Sequence, residues 1–296
     1  LSALHALHFG AGLAFQKLAT ALKVGVIVLF IAAGFLVAAP QPVSFNPLDF
    51  TADEVWNAGL AVNLVWVSFA YSGWNASSYL AGEIADPARN LSRGLLVGTG
   101  IVIALYLGLN AVFMRVVPVD DLRGVKEVGL VAAGRIFGAM GGDLMGGAIS
   151  LLLISSISSM ILAGPRVIQA LGAAVPLLRG LSLTDPEGNP VRAIVFQAAL
   201  AILFLQTLRF DTLLYYTAFT LSLFTVLTVA GLFVLRRRLG APDGYRAWGY
   251  PWSPLAFVLG TLGVGGFFVA SHPLESLAGF ATALLGLGLY RASDRA

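Results

Sequence analysis

The sequence predicts an all-α polytopic membrane protein, and three observations carry that prediction. Hydrophobic residues make up 58% of the 296-residue chain against 11% charged, with a mean hydropathy of +0.85, too little charge to coat a water-soluble globule. The apolar residues gather into about eight stretches near the roughly 20-residue length that a helix needs to cross a bilayer. The connections are short, which leaves a single transmembrane domain over 1–296 and no sizeable soluble one.

Hydropathy places the spans near 18–38, 59–82, 94–116, 140–163, 192–208, 213–235, 255–271 and 274–290. The first carries Lys23 ahead of the apolar run Val24-Gly-Val-Ile-Val-Leu-Phe30, with Lys17 at the plausible interface one and a half turns earlier. The second is interrupted by Phe69-Ala-Tyr-Ser-Gly-Trp-Asn75 and followed by Glu83-Ile-Ala-Asp-Pro-Ala-Arg-Asn90. A spanning helix must satisfy its backbone internally, so small and polar residues at mid-membrane are tolerated where the backbone lines a cavity. Broken helices of this kind hold the substrates of secondary transporters. The third and fifth spans are apolar runs. The fourth opens on Gly141-Gly142 and Gly146-Gly147, small residues that permit close helix contact, and carries Ser155, Ser156, Ser158 and Ser159. At the start of the sixth, Tyr215 and Tyr216 follow Asp211 as an aromatic belt explains, and Arg236-Arg-Arg238 closes it as a stop and topology signal. The last two spans flank His272.

Charge placement orients the chain. With alternate connections on opposite sides, Arg89, Arg93, Arg166, Arg179, Arg192, Arg236, Arg237, Arg238, Arg246, Arg291 and Arg295 share one side, against Arg115, Arg123, Lys126, Arg135 and Arg209. By the positive-inside rule this eleven-to-five split makes the first set, with the C-terminus, cytoplasmic.

Several function classes fall away. The net charge of +3 comes with no basic run interleaved with aromatics, so nucleic acid is not an expected partner. Zero cysteines exclude disulfides, thiolate metal sites and cysteine nucleophiles in this segment, and His5, His8 and His272 are not grouped for a metal. No cofactor or metal is expected. The chain lacks a Gly-x-Ser-x-Gly elbow, a His-Glu-x-x-His pair and a phosphate-binding loop, and no histidine stands within a span as a base, so it does not read as an enzyme. The spans are too apolar for a continuous channel lining, oligomeric rings excepted.

Four stretches carry a family resemblance. Gly10-Ala-Gly-Leu-Ala-Phe-Gln16 with Leu22-Lys-Val24 is similar to the fifth helix of the amino acid–polyamine–organocation transporters. The interrupted segment resembles the sixth helix of that superfamily's L-type-like amino acid transporters, and Ser155-Ser-Ile-Ser-Ser-Met-Ile-Leu-Ala-Gly-Pro-Arg166 resembles the eighth. Gly188-Asn-Pro-Val-Arg-Ala193 and Tyr245-Arg-Ala-Trp-Gly-Tyr-Pro251 match later loops in the family's order. The resemblance implies a partial five-plus-five inverted-repeat fold lacking the first four helices. Residues 1–38 would end the first repeat, 59–235 form the second inverted repeat, and 255–290 supply two extra C-terminal helices. The chain begins at Leu1 rather than methionine, and it is expected to be the later part of a longer protein, so missing N-terminal helices or a complementary chain are expected. The implied activity is secondary-active amino acid transport across the inner or plasma membrane by alternating access. Exchange, proton symport and uniport stay open. A non-transporting fragment, half-protein or regulatory subunit is the alternative.

The candidate site follows from the break. Unwinding from Ala70 through Tyr71 and Ser72 to Gly73 would leave carbonyl oxygens without helical donors, good partners for a substrate ammonium, and Gly73 frees the chain from helical geometry. Packing alone would also explain Ser72 or Gly73 taken singly. By resemblance, Phe69 would gate the occluded substrate, and Trp74 and Asn75 would border the side-chain pocket. With no Asp or Glu in that pocket, neutral amino acids are expected. Glu83 would close the inner path in a network with Arg89 or Arg93, or else anchor the helix at the headgroups. The resemblance places the ammonium of Lys23 where sodium-coupled relatives of the fold bind sodium, so a fixed cation or a proton carrier would replace the ion and transport would be sodium-independent. Snorkelling to the interface is the other reading. Ser158 and Ser159 are the candidate partners of Lys23, although such hydroxyls commonly satisfy themselves one turn back.

Overall fold

The computed structural model describes residues 9–37, 41, 58–79, 81–186, 188–207, 209–240 and 247–293, with backbone alone at 9–14, 58–59, 61–62, 83 and 88. Every regular element among them is helical. In chain order these are α1 (Phe9–Leu36), α2 (Ala58–Ala70), α3 (Ala76–Tyr79), a 3-10 turn at Ala81–Glu83, α4 (Pro87–Val116), α5 (Val119–Leu122), α6 (Val128–Phe137), α7 (Ala139–Ala174), a 3-10 segment at Pro176–Leu181, α8 (Val191–Thr207), α9 (Phe210–Leu239), α10 (Trp252–Ser271) and α11 (Pro273–Ser293).

Seven of the eight expected spans each fall on a single helix, and six of those helices are long and apolar enough to cross a membrane: α1, α4, α7, α9, α10 and α11. The other two fall short for distinct reasons. α8 has 17 residues, at the lower limit for spanning. The 59–82 stretch is cut at Ala70 into α2 and α3, so neither piece reaches spanning length. α7 runs for 36 residues, a rise of about 54 Å against a hydrocarbon core of about 30 Å, and therefore continues well past the membrane.

The α5–α6 hairpin lies where hydropathy predicts only a connection between spans. Arg135 closes it onto Asp121 at 2.8 Å, and α6 packs its buried Ala132, Ala133 and Ile136 against Val112, Val116 and Val117. The glycines that open α7 serve this contact: a Cβ on Gly141 would collide with Phe137, and one on Gly146 would touch Leu130.

The helices sort into two packed groups. α1, α3, α4, α6, α7 and α8 contact one another on one side, while α2 packs with α9, α10 and α11 on the other. Phe30, Val112 and Ile136 are buried in the first group; Val65, Ala218, Phe219 and Phe268 are buried in the second. The short segment 71–75, between α2 and α3, links the two. Large apolar side chains such as Leu29, Leu205 and Leu285 stand outward, each about 70% exposed, as expected for a surface solvated by acyl chains that are themselves apolar.

A broken helix between two recesses

α2 ends where its hydrogen-bond ladder fails. Tyr71 N–H still donates to Val67 at 3.1 Å, but Ser72 N–H turns to Phe69 at 2.9 Å, and Ala76 N–H restarts the chain on the Gly73 carbonyl at 3.0 Å. Gly73 lies at φ +96°, a conformation that side-chain-bearing residues rarely adopt. The expected run of open carbonyls is narrower than predicted. Those of Tyr71 and Ser72 receive no hydrogen bond among the described residues. The Gly73 oxygen is taken by Ala76, and that of Ala70 by the Tyr106 hydroxyl at 2.9 Å.

Tyr106, on α4, is absent from the residues that the sequence singled out. It also sets its ring edge-on to Tyr71 at 5.0 Å, so one side chain holds both the last helical carbonyl and the first unwound residue. A phenol in the middle of a predominantly apolar span was the available signal.

Two recesses flank the break. One, about 440 Å³, lies toward α1, α4 and α7 and includes Lys23, Ala70, Gly73, Tyr106 and Ser159. The other, about 290 Å³, lies toward α9 and α10 and includes Ser68, Phe69, Ser222, Phe257 and Thr261. Tyr71, Ser72 and Trp74 face both. The site set expected from sequence is therefore divided: Phe69 stands on the opposite side from Lys23. Asn75 borders neither recess; its amide donates to the Tyr79 hydroxyl at 2.6 Å, and its carbonyl accepts from Ser78.

Lys23 reaches across from α1 to α7, where its ammonium donates to the Ser156 hydroxyl at 2.8 Å. This corrects the expected partner. Ser159, one turn on, instead accepts from the Gln16 amide and donates to the Ser155 carbonyl. Ser158 is fully buried and lies about 200° around the helix from Ser156. Lys23 has no carboxylate in ion-pair range among the described residues, where the ion pairs are Arg123–Asp120, Lys126–Asp211 and Arg135–Asp121. Glu83 sits in the 3-10 turn after the break, and its pairing with Arg89 or Arg93 falls outside the described side chains. Pro87 then opens α4 behind Asp86, a position where the missing N–H costs nothing.

Tyr215 does more than sit in an interfacial belt. Its ring stacks on His272 at 3.9 Å and packs against Trp66 of α2 at 5.1 Å, tying α2 to α9 and α10.

A helical membrane fold with a discontinuous span, facing recesses on both sides of the break, defines an integral membrane protein of the broken-helix type. The chain belongs to the amino acid permease family, whose profile matches residues 1–289. Among curated proteins it is 28% identical over 248 residues to the serine/threonine exchanger SteT of Bacillus subtilis (strain 168), covering 81% of this chain and 57% of the relative. It is 24% identical over 242 residues to the human b(0,+)-type amino acid transporter 1, covering 80% and 48%. The human large neutral amino acids transporter small subunit 2 matches over 170 residues at 27% identity, covering 57% and 32%. The chain thus spans about half the length of the curated relatives it matches.

Proposed function

We propose that this chain belongs to a secondary-active amino acid transporter working by alternating access, and that it carries neutral amino acids without sodium, by exchange or proton symport. The observation that carries the reading is the break itself. Tyr71 and Ser72, whose carbonyls are open, line one recess together with Lys23, so the two charged ends of a zwitterion would find complementary groups there. Neither recess is lined by Asp or Glu, which leaves a cationic side chain without a counter-charge and favours neutral substrates. The relatives named as exchangers and transporters support the class.

In this reading Ala70, Tyr71, Ser72 and Gly73 supply the backbone cradle, with Phe69 and Trp74 as aromatic walls. Lys23 is the fixed cation that removes the need for sodium, held by Ser156 with Ser159 nearby, and Glu83 serves the inner gate. The side facing Lys23 would be completed by helices preceding this segment or by a complementary chain. The cytoplasmic C-terminus follows from the arginine distribution.

The test is uptake of labelled neutral amino acids by the intact protein in liposomes, with sodium or choline outside. Phe69→Ala is expected to abolish uptake at normal expression, and choline to leave it unchanged. A steep sodium requirement would overturn the role given to Lys23. Absence of uptake of any amino acid by well-folded protein would overturn the transport reading.

A further inference from the structure

α9 and α10 are both long and apolar enough to cross a membrane, so the turn that joins them lies at the membrane surface. α9 ends there on Arg236, Arg237 and Arg238. Between residues 230 and 260 the sequence sets four arginines against one carboxylate, Asp243, which is outside the described residues. A topology signal needs only the charge. Here one arginine is also built into the turn: the Arg236 guanidinium lies over the Tyr250 ring at 4.3 Å, and that ring packs on Phe233 at 5.7 Å. The Nε of Arg236 is enclosed without a hydrogen-bond partner. None of the three arginines forms an ion pair among the described residues, whose ion pairs lie at the other end of α9 and in the α5–α6 hairpin.

The same turn carries two large aromatic side chains that stand outward, Trp248 and Trp252, 80% and 73% exposed. Ser253 pins it, its hydroxyl donating to the Trp248 carbonyl and its N–H to the Gly249 carbonyl at 2.9 Å. Tryptophan favours the headgroup level, where its ring meets hydrocarbon and its N–H meets water. Tyr250, between the two tryptophans in sequence and stacked under Arg236, therefore holds a guanidinium at that same depth. We propose that this turn binds the phosphate of an anionic phospholipid. Adjacent helix positions point about 100° apart, so Arg236 and Arg237 approach one phosphate from two sides, each offering the forked N–H donors that suit its oxygens. Arg238, further round the helix, faces a neighbouring headgroup. Tyr250 is a positioning residue, because its ring sets the plane of the Arg236 guanidinium. A zwitterionic lipid carries the same phosphate, but its own ammonium cancels the charge, so a lipid with net negative charge is favoured. The inference rests on the membrane class alone and is independent of the transport reading.

The intact protein, stripped of lipid in a neutral detergent, is mixed with equal amounts of phosphatidylglycerol and phosphatidylcholine bearing the same acyl chains, and the lipid it retains is counted by native mass spectrometry. A basic residue at the membrane surface changes affinity for anionic lipid about fivefold, so wild type is expected to retain phosphatidylglycerol at least about fivefold over phosphatidylcholine. Arg236→Gln, Arg237→Gln and Arg238→Gln combined should lose most of that preference. Arg123→Gln, Lys126→Gln and Arg135→Gln combined remove the same charge at the other end of the spans and should keep it. Tyr250 variants separate a built site from charge alone, because they leave every charge in place. Tyr250→Leu loses the stack and should lower the ratio at least about twofold, whereas Tyr250→Phe keeps the ring and should retain the ratio. A wild-type ratio near one overturns the inference without needing any variant. So do an unchanged ratio in the folded Arg236–Arg238 variant and an equal loss in both combined variants. An unchanged ratio in folded Tyr250→Leu reduces the arginines to a topology signal and overturns the built site. If inorganic phosphate displaces phosphatidylglycerol, the ligand is free phosphate and the lipid assignment falls.

Discussion

Replacing Gly73 by alanine separates backbone conformation from crowding at the break. A Cβ built on Gly73 meets nothing within 4 Å, so the added methyl has room. What it lacks is a comfortable backbone: at φ +96° a residue with a Cβ costs about 1–2 kcal/mol more than glycine. That penalty falls on the unwound segment alone and is relieved if 71–75 winds back into helix. With about 1.4 kcal/mol per factor of ten, the ratio of broken to rewound form shifts by roughly five- to thirtyfold. Initial uptake by the intact protein, normalised to membrane expression, should fall by at least about fivefold. Gly82→Ala is the matched control, because its Cβ also meets nothing within 4 Å and its φ is not positive; it should transport like wild type. Gly73→Leu adds bulk to the same strain and should abolish uptake. Equal uptake by Gly73→Ala and Gly82→Ala would refute the idea that a strained break holds the site.

Three further outcomes are expected. Tyr106→Phe keeps the ring contact with Tyr71 but removes the hydroxyl from the Ala70 carbonyl, costing about 1 kcal/mol; uptake should fall about fivefold, and an unchanged rate would show that the bond does not hold the break. Lys23→Ala removes the donor to Ser156 and should impair transport with normal expression, whereas full activity would leave Lys23 as a mere interfacial anchor. Gly34→Ala would drive a Cβ into a methyl of Val112, which is fully buried. The overpacking should cost about 1–3 kcal/mol, read as a lower melting temperature in detergent, and Val112→Ala should restore part of it; no rescue would mean that α1 and α4 do not meet at this contact.

The break was legible because its residues violate the local rule for a spanning helix: Ser72, Gly73 and Asn75 together in an apolar run have no reason to lie in lipid. Lys23 stood out for the same reason, as a charge inside an apolar stretch. Their partners were not legible. Ser156, rather than Ser158 or Ser159, receives Lys23 because the rotation of α7 against α1 decides which hydroxyl faces it, and four serines within five residues point to several sides of one helix. The α5–α6 hairpin was missed because α5 is too short, and α6, at 10 residues, too close to the next span, to register as a hydropathy peak. Asn75 belongs to the motif but turns away to Tyr79.

By itself, the sequence determined the membrane class, the eight apolar stretches, the place where one of them breaks and the family, since each depends on composition, length or local chemistry along the chain. Only the tertiary structure decided that the break has a recess on either face, that Lys23 and Phe69 stand on opposite sides of it, and that Tyr106 and Thr261 reach it from distant helices. Such facts depend on how helices rotate and pack against one another, and helices buried in lipid carry apolar residues all around, so their sequences show that they cross the membrane without showing which face meets which neighbour.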